Sequence, residues 1–161
     1  MKKTIKRGVA VILHNMMAKM SFSHLSEETI EAVMDNFMAL GKVAEGYQKM
    51  LEEMNKRLLE GISEDVLKEY NEKTQTMTEE ELEKAYPTIC PIAKKQKKVS
   101  GAIFNKDVEI ELNEVEKEAF VKAVMKGTPN LTAGILENFG IMFKEEKKED
   151  DFSELDELMK D

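Results

Sequence analysis

The amino-acid sequence predicts a mainly α-helical domain built on one long helix, about residues 27–60, with a small two-stranded β element near residues 102–112. Three observations carry that prediction. The first is an apolar ladder, Ile30, Val33, Phe37, Leu40, Ala44, Tyr47, Leu51, Met54 and Leu58, whose steps alternate three and four. That is the spacing of a helix packed along a seam against other helices. The second is composition: 42% hydrophobic and 35% charged residues, with 12 Met and no Trp in 161 residues. High charge beside a full apolar complement suits amphipathic helices better than disorder. The third is one stretch of period-two alternation, Val108, Ile110 and Leu112 around Glu109 and Glu111, which is a strand signature.

Taken in order, Thr4–Arg7 reads equally as a short strand or the start of a helix. Val9, Ile12, Leu13, Met16, Met17 and Met20 then recur at three and four, predicting a helix over about 8–20. Ser26 is a good N-cap for the long helix, with Glu27 and Glu28 in its first turn and Leu25 and Ile30 at the positions of a hydrophobic staple. Gly61 is placed to end that helix. Gly41 and Gly46 mark either a kink or the close approach of a neighbour. Ser63 restarts helix at Glu64. Thr78 and Glu81 match a capping box, and Tyr86-Pro87 ends the short helix that follows. Thr88–Pro91 reads as a connector around Cys90. Ala102–Phe104 pairs with Val108–Leu112 as a hairpin. Asn113 and Glu116 match a second capping box, opening a helix that Gly127 stops. A last core helix holds Leu131–Phe143. The expected domain is residues 1–143, and residues 144–161 form an acidic tail.

The same residues exclude several function classes. The net charge of −8 disfavours a dedicated nucleic-acid binder, which neutralises phosphates with surplus Lys and Arg. One cysteine cannot form an internal disulfide, so a reducing compartment, the cytoplasm, is expected. No apolar run approaches the ~18 residues of a membrane span. Lys2, Lys3, Lys6 and Arg7 precede an apolar stretch as in a signal peptide. Val9–Leu13 is too short for the apolar region of one, and His14, Asn15 and Lys19 follow directly.

Chemistry-bearing constellations are equally sparse. His14 and His24 stand in neither His-Glu-x-x-His nor Glu-x-x-His, so no metal is expected. His14 falls opposite the Val9–Met16 stripe and is read as solvent-exposed. Cys90 has no local base and reads as a buried structural thiol. No glycine-rich phosphate loop occurs, and no cofactor is expected. What remains are two candidate partner-binding elements. One is the basic run Lys94, Lys95, Lys97 and Lys98, suited to an acidic partner or to phosphates, though no aromatic interleaves it for base stacking. The other is the tail segment Phe152, Leu155, Leu158 and Met159, apolar anchors set among acids, as in a helix that docks into a groove.

The order of these elements resembles a family of uncharacterised small proteins carried by tailed phages and prophages. The resemblance rests on the basic opening Lys2–Arg7 before a Met- and Leu-rich helix, on Ala39-Leu40-Gly41-Lys42 midway along the long helix, on Glu52–Arg57 near its end, and on Val108–Leu112 before paired terminal helices. It spans most of residues 2–143 and implies an accessory or assembly role. The expected function is therefore a non-enzymatic protein-interaction protein, working with a protein partner or as a homodimer. The alternative is a regulatory module touching nucleic acid through Lys94–Lys98.

Overall fold

The structure, a computed structural model, describes residues 1–145 and 153–160. The chain is mainly α-helical with one two-stranded antiparallel sheet. Strand β1 (Lys2–Lys6) leads directly into helix α1 (Arg7–Met17), and the long helix α2 spans Glu27–Leu58. Helices α3 (Glu64–Lys73), α4 (Glu79–Ala85) and α5 (Ile89–Phe104) follow, then strand β2 (Asp107–Glu111). The chain closes with α6 (Lys117–Gly127), α7 (Ala133–Leu136), a 3₁₀ turn over Glu137–Met142, and the short helix α8 (Ser153–Leu158).

Local chemistry sets four of the helix starts. The Ser26, Ser63 and Thr132 hydroxyls each accept a bond from a first-turn N–H, and Thr78 with Glu81 forms the complete capping box, satisfying donors a helix leaves orphaned. Past the end of α2, Gly61 takes φ +81°, a conformation that costs glycine little. α5 begins earlier than the sequence implies. Thr88–Pro91 is no connector: Ile89, Cys90 and Pro91 form the first turn of α5, where the missing proline N–H would have had no helical partner anyway.

The sheet differs from the expected hairpin in its partner. Ala102–Phe104 is the last turn of α5, and β2 pairs instead with β1, with Lys2 opposite Glu111 and Lys6 opposite Asp107. Ile5 and Ile110 face the core, while Lys2, Thr4 and Lys6 face solvent beside Asp107, Glu109 and Glu111. Opposite charges across the ladder favour this register, and Lys6 Nζ lies 2.6 Å from Asp107. The helical end of α5 is held by the start of α1. Arg7 N–H donates to Lys106 O at 2.8 Å and its guanidinium donates to Ile103 O at 3.1 Å. Gly8 leaves the space filled by the Phe104 ring, into which a Cβ there would run.

The main core joins Leu13 and Met17 of α1 to Val33 and Leu40 of α2 and to Phe120, Val124, Leu136 and Phe139 behind them. Asn113 does not cap α6; Glu116 occupies that position without a side-chain bond. Val115 instead bridges Phe143 in parallel register. The freed Asn113 backbone is bound by the one buried polar side chain of the described residues, Asn36. Its Oδ1 accepts from Asn113 N–H at 2.6 Å, and its Nδ2 donates to Asn113 O at 2.9 Å. The last predicted core helix is broken into α7 and a 3₁₀ turn. A smaller second cluster packs Tyr70, Leu82, Ile89 and Cys90 where α3, α4 and α5 meet.

Candidate functional site

The apolar ladder of α2 is not uniformly covered. Val33 and Leu40 are fully buried, whereas Phe37, Ala44, Tyr47, Leu51, Met54 and Leu58 are only half-buried. Alongside this seam, between α1 and α2, lies an open groove of about 700 Å³ bounded by Val11, His14, Phe37, Met38, Gly41 and Tyr47. Its floor is a stacked pair: the His14 and Phe37 rings lie 4.6 Å apart at an interplanar angle of 12°. His14 is therefore not the solvent-exposed residue that helical periodicity predicts. The absent Gly41 side chain admits it, since a Cβ there would stand 3.1 Å from His14 Cε1. Gly41 thus marks a close approach.

Stacking leaves His14 electrically awkward. Its Nδ1 is buried with no hydrogen-bond partner among the described residues. Burial also holds its pKa below the ordinary histidine value of 6.5, because the charged imidazolium loses hydration it cannot replace. Met38 stands at the rim with 59% exposure. Asn15, Lys42, Glu45 and Gln48 make its edges polar, so an open groove with an aromatic floor and a flexible Met at its rim suits an amphipathic helix from another protein.

The basic run lies on α5, and the helix divides it. Lys94 is ion-paired to Glu79 at 3.0 Å and to Glu83. The Glu83 and Glu79 carboxylates hold its ammonium well above the usual lysine range. It therefore staples α4 to α5 and is spent as a docking charge. Lys97 projects from another side of the helix than the Lys95–Lys98 pair. Lys95 and Lys98 join Lys106 around a floor of Val99, Ala102 and Ile103, a shallow groove of about 470 Å³. The run is a helix face, so only part of it acts together.

In the tail, Phe152 lies outside the described residues. Leu155, Leu158 and Met159 are 50%, 78% and 74% exposed, and Met159 N–H donates to Leu155 O at 3.0 Å. The three therefore stand at helical spacing with their apolar surface uncovered. Cys90 is 3% exposed and sits beside Tyr70, whose phenol is raised by burial and by the neighbouring thiol. Tyr86 donates to Glu69 at 2.9 Å on the rim of the same cluster. Among the described residues no group of three or more His, Cys, Asp or Glu is placed to hold a metal ion, and no helix is long and apolar enough to cross a membrane.

No sequence pattern predicts two contributors, the α1–α2 groove and Asn36. Gly41 was the available signal for the first. A polar residue beside the ladder's Val33–Phe37 step was the signal for the second. Compared with known proteins, the chain matches no family model, no curated protein and no solved structure.

Proposed function

We propose that this chain is a non-enzymatic interaction protein with an assembly or accessory role, holding a partner protein along the α1–α2 groove. One observation carries the reading: the apolar seam of α2 outruns its cover, leaving Phe37, Met38 and Tyr47 on an open groove. Exposed apolar surface of this kind is costly to keep in water and gains from a partner. The test is a photo-crosslinking residue placed at Met38 in the native host. It forms a discrete protein adduct there and none at Lys122, an exposed control on α6. Equal labelling at both positions refutes the reading.

The second reading is nucleic-acid contact through Lys94–Lys98. The exposure of Lys95 and Lys98 favours it, and the engagement of Lys94 by two glutamates weakens it. A gel shift on duplex DNA that fades steeply with salt supports it. Flanking tail or capsid genes would add support for a phage setting.

A further inference from the structure

We propose that the lysine-edged face of α5 receives the acidic C-terminal segment of a second copy of this chain, so that two copies exchange tails. This surface is separate from the α1–α2 groove and stands on different residues. Lys95, Lys98, Val99, Ala102 and Ile103 recur at three- and four-residue helical intervals and form one stripe along α5, which Lys106 continues just past the helix end. The stripe has an apolar floor and a basic rim. Among the described residues, none of its three lysines lies within ion-pair distance of a carboxylate, unlike Lys94 beside it.

The tail carries the complement. Leu155, Leu158 and Met159 stand at i, i+3 and i+4 and are exposed on their own chain. Residues 152–161 hold four carboxylates and one lysine. Apolar anchors at this spacing enter a groove as a short amphipathic helix, and the flanking Asp156 and Glu157 fall where a basic rim attracts them. The apolar side of the segment is uncovered on its own chain, which leaves it open to another copy. Lys144 N–H donates to Val115 O at 3.0 Å, so the tail departs beside Val115. A reciprocal exchange about a two-fold axis covers both tails and both stripes with one contact used twice.

The test is sedimentation equilibrium of the full chain across the micromolar range. The expected species has twice the 18.4 kDa chain mass at low ionic strength and dissociates as salt rises. K95E/K98E/K106E and, separately, L155D/L158D weaken association at least tenfold. So does D156K/E157K. Mixing K95E/K98E/K106E with D156K/E157K restores a mixed dimer, because each groove then meets a tail of opposite charge. Should the triple reversal lose its helical circular dichroism, the lysine-to-glutamine set takes its place. A wild-type mass of 18.4 kDa throughout overturns the proposal, as a tail folding onto its own chain would produce. A dimer indifferent to all these substitutions also overturns it. So does a monomer whose α5 lysines bind duplex DNA. None of these outcomes touches the Met38 crosslink, so the two readings fail separately.

Discussion

Asn36 is the position where a small change is expected to cost most for its size. It is 1% exposed, and its amide makes both hydrogen bonds to the Asn113 backbone, at 2.6 and 2.9 Å. Asn36→Ala removes both. Each is worth about 0.5–1.5 kcal/mol net, and a buried backbone group left without a partner costs about 1–3 kcal/mol. Water reaching the partly buried Asn113 backbone offsets some of this, so the expected loss is about 2–4 kcal/mol. For a chain of this length each kcal/mol moves Tm by about 2–4 °C, which puts the drop near 10 °C. Asn36→Asp keeps the acceptor for Asn113 N–H but sets a carboxylate against Asn113 O. Its carboxyl is then raised in the folded state, so that variant regains stability as pH falls toward the ordinary aspartate range. Urea unfolding monitored by circular dichroism gives both numbers. An Asn36→Ala loss under 0.5 kcal/mol, or an Asn36→Asp variant with no gain in acid, would refute the argument that this bond pair holds residues 113–115 to α2.

Phe37→Ala is expected to cost about 2–3 kcal/mol, less than the ~3–5 kcal/mol of a fully buried aromatic deletion, because Phe37 is only half-buried; chemical denaturation measures it, and a cost near zero contradicts the stacked floor. His14 binds protons less readily folded than unfolded, so stability declines as pH falls through about 6.5. His14→Gln flattens that decline, and a slope unchanged by the substitution would assign the titration to another group. Gly8→Ala drives a methyl into the Phe104 ring and should destabilise by about 1–3 kcal/mol. Phe104→Leu recovers part of that loss in the double variant, and strict additivity in the cycle would show that the two sites do not touch.

The helices were legible because their signals are local. The caps at Ser26, Ser63 and Thr78 and the Gly61 stop each depend on residues within one turn, and all stand where the sequence put them. The β element was legible in β2 alone. Its partner, in which Ile5 is the one buried residue, lies a hundred residues away, and no short-range pattern links the two. Asn113 and Glu116 match a capping box by spacing, yet Asn36 claims the Asn113 backbone, a tertiary contact that outbids the local one. The site was the least legible part. Helical periodicity turns His14 toward solvent, but a second helix beside Gly41 covers it, and periodicity describes one helix at a time. Likewise Lys94–Lys98 is a run in sequence and becomes separate faces only once wound into α5, where Glu79 and Glu83 take Lys94.

The pairing of β1 with β2 also sets an order of events in time. During synthesis α1 and α2 are complete, and free to pack on each other, long before Asp107–Glu111 exists. β1 waits for them as an unpaired strand, an edge open to wrong partners. Its eventual pairing closes a loop of about a hundred residues, and such contacts are entropically disfavoured until most of the chain is already ordered. The clasp is thus expected to shut late. Ile110→Val should then speed unfolding while leaving the folding rate nearly unchanged, and a slowed folding arm in the chevron would place the clasp in the nucleus instead. The two lysines of β1 that face acids across the ladder have a use before they have partners: their charge keeps the waiting strand from pairing with another copy of itself.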